Sequence, residues 1–213
     1  MNESLFELFS QRLAQDADRT ILRFLGKGDA VEEVSWRDFL WRAAGRAQAL
    51  RQTGVARGEV LPIMRETGSA LVCDFFGAIL HGAIPCVLAP PNPRMAQEVF
   101  RRKLLGMLGE KNLHHIVCDS GLCAFLASTL EGQAITLLTQ EEAGDSEPFE
   151  FLDIARDASA PLFLQHSSGT TGTPKAVMIS EPQLMAQMRS YAATLELDGQ
   201  DRIVSWLPLY HDM

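Results

Sequence analysis

The residues with the clearest chemistry form one short segment, residues 167–175, which reads Ser-Ser-Gly-Thr-Thr-Gly-Thr-Pro-Lys. Glycines let a backbone approach a ligand closely, hydroxyls and backbone amides donate hydrogen bonds, and a lysine supplies a positive charge. These are the groups that hold a polyphosphate. The segment is therefore predicted to be a phosphate-binding loop.

The segment differs from the common nucleotide-binding loop, in which Ser or Thr follows a Gly-Lys pair. Here Pro174 precedes Lys175 and Ala176 follows it, which argues against a small kinase. A flexible Ser/Thr/Gly turn without a ligand is the alternative.

The elements beside the loop are two apolar runs, residues 161–164 and 176–179. Short apolar runs bounded by turn residues are typical of buried strands. The loop is thus expected to join two buried strands.

The rest of the chain follows a pattern of alternating elements. We predict an opening helix at 5–13, a hairpin of 20–25 with 30–34, and a helix from Ser35 to about Gln52, with Asp38 completing a capping box. Strands are then predicted at 59–64, 83–88, 115–118, 134–138 and 202–206, and helices at 69–81, 94–108, 122–130 and 180–197.

Strands that alternate with helices predict an α/β fold with a mostly parallel sheet and helices on both faces. The acidic stretch 141–150 reads as a surface connection. We therefore expect an N-terminal α/β subdomain over residues 1–150 and the start of a second over 151–213.

Composition limits the function. The chain has 213 residues, 46% of them apolar, and a net charge of −8, which argues against nucleic acid as a partner. No apolar run reaches membrane-spanning length, and the N-terminus lacks the order of a signal peptide. The four cysteines lack metal or redox spacing and are expected to be buried reduced thiols, which suits the cytoplasm.

The histidines outside the loop carry weaker signals. Adjacent His114 and His115 would point to opposite faces of a strand, so no metal site is predicted there. His166 directly precedes the loop. A packed histidine and a site residue remain open as alternatives for it.

At the loop, the sequence resembles the adenylate-forming superfamily, which includes acyl-CoA synthetases, fatty-acyl-AMP ligases, peptide-synthetase adenylation domains and luciferases. A second motif of that superfamily is matched by residues 206–213, Trp-Leu-Pro-Leu-Tyr-His-Asp-Met. The residues of this motif are most similar to those of the fatty-acyl-AMP ligase branch, as is the proline-rich stretch 85–93.

The resemblance implies that a carboxylic acid, expected to be a fatty acid, attacks the α-phosphate of ATP–Mg²⁺ to give acyl-AMP and pyrophosphate. The acyl group then passes to a phosphopantetheine thiol on an acyl carrier protein or coenzyme A. The resemblance assigns catalytic roles to Lys175 and His211, and it places Tyr210 and His211 in the adenylate and acyl pocket. It assigns ATP binding to Ser167, Ser168, Gly169, Thr170, Thr171, Gly172, Thr173 and Lys175.

Members of this superfamily are much longer. The motifs that contact adenine and ribose, most of the Mg²⁺ ligands and a small C-terminal domain are expected outside these residues, so the 213-residue chain alone is expected to be inactive. A non-catalytic binding or assembly module of the same fold is the alternative. An unpaired strand edge near residues 203–206 predicts self-association.

Overall fold

The computed structural model describes residues 4–26, 28–91, 95–108, 113–140, 143–152, 157–166 and 176–210. The elements within these residues are, in chain order, α1 (Leu5–Asp16), β1 (Thr20–Leu25), β2 (Val31–Ser35), α2 (Trp36–Gln52), β3 (Val60–Met64), α3 (Ser69–His81), β4 (Ile84–Val87), α4 (Gln97–Leu108), β5 (His115–Cys118), α5 (Ser120–Thr129), β6 (Thr136–Leu138), α6 (Phe149–Leu152), β7 (Pro161–His166), β8 (Ala176–Ser180) and α7 (Glu181–Thr194).

Six strands form the central sheet in the order β6-β5-β3-β4-β7-β8. The first five are parallel to their neighbours, and β8 runs antiparallel to β7. Strands β1 and β2 form a separate antiparallel pair, as predicted. The mostly parallel sheet of the sequence-based prediction is confirmed.

Helices cover both faces of this sheet. Successive strand residues point to opposite faces. On β3, Ile63 joins an apolar cluster with residues of α2 and α3, whereas Met64 joins a cluster with residues of α4 and α5. On β5, Val117 and Ile116 divide in the same way. The sheet is thus the middle of three layers, which explains why its strands are apolar on both sides.

Helix α3 is apolar around most of its circumference because it packs on two elements at once. Leu71 and Ala78 belong to the cluster that also contains residues of β3 and β5, and Cys73 and Leu80 belong to the cluster that also contains residues of α1. A helix buried on opposite sides needs no polar face.

The start of α2 shows how local sequence determines an element. The Ser35 hydroxyl accepts from the Asp38 amide at 3.1 Å, and the Asp38 carboxylate accepts from the Ser35 amide at 3.3 Å. This reciprocal pair satisfies two backbone donors that the first helical turn leaves free. The predicted capping box is confirmed.

One strand prediction was wrong, and one predicted strand is exposed where burial was expected. Residues 201–206 form no regular element, and Ile203, Val204 and Trp206 are exposed. They read as a strand because they are apolar, but none of the described residues pairs with them. Strand β8 exists, but it is not buried: it lies at the edge of the sheet, where Met178 is 67% exposed.

The acidic connection contains structure that its composition did not predict. Within it begins α6, whose Phe151 and Leu152 are buried against the cluster formed by α1 and α2. The division into subdomains at residue 150 stays a prediction. Strand β7, which follows that boundary, pairs with β4 in the same sheet.

All four cysteines are free thiols, and Cys73, Cys86 and Cys118 are buried. Burial raises the pKa of Cys73 to about 11 and that of Cys118 to about 12, so both stay protonated at neutral pH. The prediction of buried reduced thiols is confirmed for these three. Among the described helices, none combines the length and apolar character that a membrane crossing requires.

Candidate functional site

The candidate site lies at one edge of the sheet. Strands β3 to β7 are parallel, so their carboxyl ends meet at the same edge, where ligands bind in open α/β sheets. The residues at or just after these ends include Arg65, Asp119, Thr139 and His166. Residues 167–175 follow directly after His166.

The predicted phosphate loop lies outside the described residues, and so does His211. This applies to Ser167, Ser168, Gly169, Thr170, Thr171, Gly172, Thr173 and Lys175. The residues that flank the loop are described: His166 and Ala176 face each other in the antiparallel register of β7 and β8. The two residues that flank the predicted loop are therefore paired neighbours in the sheet.

His166 contacts the neighbouring strand. Its Nδ1 atom lies 3.0 Å from the Sγ atom of Cys86 on β4. This contact joins β4 and β7 at the point where the chain enters residues 167–175. It agrees with a packed histidine and also orients the ring beside the predicted loop, so both alternatives for His166 remain predictions.

Among the residues to which the resemblance assigns a role, Tyr210 is the one that the structure describes. It is partly buried and lies in the irregular segment after α7. The backbone amide of Leu209, one residue earlier, donates a 3.1 Å hydrogen bond to the Thr67 hydroxyl between β3 and α3. This bond holds Leu209 at the same edge of the sheet as the flanks of the loop.

A cluster of charged side chains, which sequence reasoning did not single out, also lies at this edge. Arg65 is 3% exposed and donates to Asp74 on α3, to Asp119 after β5 at 2.7 Å, and to the Thr139 carbonyl after β6. The Nε atom of Arg46 lies 3.4 Å from the Oδ1 atom of Asp74, which is an ion-pair distance. The geometry of this contact is not that of a hydrogen bond. The cluster ties α2, α3, β3, β5 and β6 together.

The electrostatics of the cluster follow from its burial. Burial raises the pKa of Asp74 to about 6, and the charges of Arg65 and Arg46 limit that rise. Burial opposes the charge on Arg65, but the neighbouring Asp74 and Asp119 outweigh it and raise the pKa of this guanidinium. Arg65 thus stays charged, as a buried arginine with two carboxylate partners must.

A cavity of about 640 Å³ lies beside the end strand β6, between α2 and the chain after β6. Its lining includes Gly45, Gln48 and Gln140. Three strands separate β6 from β7, so this cavity does not coincide with the flanks of the predicted loop.

Comparison with known proteins identifies the family. A family model described as AMP-binding enzyme matches residues 9–213, nearly the whole chain. The chain belongs to the AMP-binding enzyme family.

Relatives of this AMP-binding enzyme chain include two proteins of Mycobacterium tuberculosis. A long-chain-fatty-acid–AMP ligase is 24% identical over 224 residues, an alignment that covers 100% of this chain and 38% of the relative. A medium/long-chain-fatty-acid–CoA ligase is 28% identical over 215 residues, covering 98% of this chain and 34% of the relative. The chain spans about a third of the length of the relatives it matches.

Solved structures agree on the fold. A fatty acyl-adenylate ligase from Legionella pneumophila, crystallised with acyl adenylate and pyrophosphate, superposes with a TM-score of 0.79 at 20% identity. The superposition covers 99% of this chain and 36% of that protein. Its mixed α/β architecture is the one described above.

Proposed function

We propose that the AMP-binding enzyme chain is part of a ligase that activates a carboxylic acid, expected to be a fatty acid, with ATP. A carboxylate oxygen of the acid bonds to the α-phosphorus of ATP. The bond from that phosphorus to the bridging oxygen breaks, and pyrophosphate leaves. The product is acyl-AMP.

The observation that carries this proposal is the family match over residues 9–213. Geometry supports it in two ways. Strands β7 and β8 bracket residues 167–175 at the carboxyl edge of the sheet, and residues 207–210 reach the same edge through Leu209 and Thr67. The flanks of the first motif and the described part of the second, residues 207–210, therefore lie at the same edge of the sheet, which supports the proposal.

The loop residues are proposed to position ATP rather than to react with it. The hydroxyls of Ser167, Ser168, Thr170, Thr171 and Thr173, and the backbone amides of Gly169 and Gly172, would donate to the β- and γ-phosphates. Lys175 would balance the charge that develops on pyrophosphate as it leaves. Fixed donors and positive charge at that point lower the barrier without covalent chemistry.

The second motif is proposed to contribute Tyr210 and His211 to the adenylate and acyl pocket. ATP is expected to enter with Mg²⁺. Among the described residues, no group of three or more His, Cys, Asp or Glu side chains could hold a metal ion. The resemblance to adenylate-forming enzymes leads us to expect most of the Mg²⁺ ligands outside these 213 residues.

A second half-reaction is proposed to follow. The thiol of a phosphopantetheine group would attack the carbonyl carbon of acyl-AMP as its thiolate, and AMP would leave with the electrons of the broken bond. An acyl carrier protein and coenzyme A both present such a thiol. One of the two Mycobacterium relatives is named an AMP ligase and the other a CoA ligase. Both acceptors therefore enter the proposal.

The first test uses a single lysine. We expect Lys175→Ala to weaken ATP binding by about 10- to 100-fold, because it removes a charge-assisted contact to the phosphates. Lys103→Ala on the exposed side of α4 is the matched control and should bind ATP as the parent chain does. Titration of the 213-residue chain with a fluorescent ATP analogue measures this effect.

Catalysis is tested separately by fatty-acid-dependent ATP–pyrophosphate exchange. We expect exchange from the protein encoded by the full reading frame and none from the 213-residue chain alone. In the binding test, equal ATP affinity of Lys175→Ala and Lys103→Ala would contradict the role of the loop. ATP binding without exchange in the full-length protein would instead favour a non-catalytic module.

A further inference from the structure

The connection between β3 and α3, residues 65–68, is fixed by several side-chain hydrogen bonds to other elements. Arg65 begins it and is almost wholly buried, with its guanidinium bonded to α3, to the start of α5 and to the end of β6. We call residues 65–68 the β3–α3 turn. Three separate elements determine where this turn lies.

Asp119 holds two consecutive residues of the turn. One carboxylate oxygen accepts from Arg65 at 2.7 Å, and the other accepts from the backbone amide of Glu66 at 2.9 Å. Asp119 is also the N-cap residue of α5, yet its side chain caps no α5 amide. An N-cap aspartate normally bonds an amide of its own helix. Here that carboxylate is used by the turn instead.

Thr67 is the next residue of the turn and is exposed. Its hydroxyl accepts from the Leu209 amide, which joins residues 142 positions apart in the chain. The bond is made by the backbone immediately before Tyr210. Its position therefore restricts where the Tyr210 backbone begins.

We propose that Thr67 is a positioning residue for the second motif: the β3–α3 turn, fixed by Arg65 and Asp119, anchors Leu209 and thereby places Tyr210. The catalytic consequence rests on the proposed function, in which Tyr210 lines the acyl pocket. Thr67 itself touches no reacting atom. It acts through the backbone at Leu209.

The first experiment measures amide hydrogen exchange of Leu209 in the 213-residue chain. Thr67→Val keeps the shape of the side chain but removes the acceptor, so Leu209 should exchange about fivefold faster or more. Thr67→Ser restores the acceptor and should return the rate to that of the parent chain. Because Thr67 is exposed, both variants should keep the thermal midpoint of the parent. Unchanged exchange at Leu209 in Thr67→Val would overturn the proposal.

A second variant tests the fixed turn behind Thr67. Asp119→Ala should accelerate exchange at both Glu66 and Leu209, whereas Thr67→Val should accelerate it at Leu209 alone. The α5 cap does not confound this comparison, because the Asp119 side chain makes no cap bond. Faster exchange at Glu66 with an unchanged rate at Leu209 would show that the turn does not place the second motif.

The catalytic experiment measures the kinetics of ATP–pyrophosphate exchange by the full-length protein. A misplaced pocket should raise the KM for the carboxylic acid about fivefold in Thr67→Val with the KM for ATP unchanged, and Thr67→Ser should recover it. A merely structural role would lower kcat through the active fraction and leave both KM values alone. If the full-length protein shows no ATP–pyrophosphate exchange while hydrogen-exchange protection of Leu209 still depends on Thr67, the proposed function is wrong. The positioning role of Thr67 then stands by itself.

Discussion

His81 shows how a single buried residue makes the stability of the fold depend on pH. It is the last residue of α3 and is 7% exposed, and its Nε2 atom donates to the Val55 carbonyl at 2.8 Å. Burial lowers the pKa of His81, and the charges of Arg57 and Arg51 add to that effect, while the Val55 bond and Glu59 oppose it. The folded protein therefore prefers the neutral ring.

The sign of the pH effect follows from proton counting. Below the unfolded-state pKa of about 6.5, the unfolded chain binds a proton at His81 that the folded chain resists. The contribution of His81 to the free energy of unfolding should thus fall as pH falls from about 7 towards 5, by at most about 1.4 kcal/mol per pH unit. His81→Gln keeps a donor for Val55 but cannot titrate, so it should flatten this slope.

Urea denaturation at a series of pH values measures the slope. His114→Gln, at an exposed histidine, is the matched control and should retain the slope because it leaves His81 intact. If His81→Gln and His114→Gln show the same slope, His81 is not the group that titrates.

The crossing of α2 and α3 depends on Gly77. A Cβ atom at this position would lie 2.5 Å from the Arg46 Cβ and 2.8 Å from the Ala43 carbonyl oxygen. The two helix backbones therefore approach more closely than any other residue would allow. The crossing sets the place of Arg46, which pairs with Asp74 in the buried charged cluster.

Replacing Gly77 tests this contact. Overpacking in Gly77→Ala should destabilise the fold by about 1–3 kcal/mol, exceeding the gain in helix propensity of at most about 1 kcal/mol. Gly106→Ala on α4 is the matched control, because no described atom outside the backbone of its own helix lies within 4 Å of its added Cβ. It should stabilise the fold by up to about 1 kcal/mol. The urea midpoint should shift down in Gly77→Ala and up in Gly106→Ala. A stabilised Gly77→Ala would contradict the close crossing.

Strand β8 sets the outer limit of the sheet in the described part of the chain. It pairs with β7 on one side, and Val177 and Met178 on it are more than half exposed. An exposed apolar edge strand is a template for pairing with another chain. Self-association is therefore expected through β8 rather than through residues 203–206, which form no strand.

A charge on this edge should weaken the association. Met178→Lys is expected to reduce the association constant of the 213-residue chain about tenfold, equivalent to about 1.4 kcal/mol, because a lysine on an edge strand opposes pairing. Met188→Lys on the exposed side of α7 is the matched control and should associate as the parent does. Sedimentation velocity over a range of concentrations measures both, and a parent chain that stays monomeric throughout would contradict the expectation.

Much of the fold was predictable from local sequence, because local sequence contains its cause. Apolar spacing predicted α1, α2, α3 and the strands β3 to β7 within a few residues, and the Ser35–Asp38 box marked the start of α2. The order of the Ser/Thr/Gly loop and the second motif predicted the family, and the match over residues 9–213 confirmed it. The roles of the loop residues, Tyr210 and His211 stay predictions.

Tertiary structure alone decided the features that depend on distant partners. The partners of Arg65 lie 9, 54 and 74 positions away, so no spacing in the sequence marked the charged cluster. The exposure of β8 and the lack of a strand at 201–206 depended on which described residues lie beside them, and an apolar run predicts a strand whether or not a partner is present. Sequence determined the elements and the family because those signals are local, whereas the contacts that hold the edge together are properties of the folded chain.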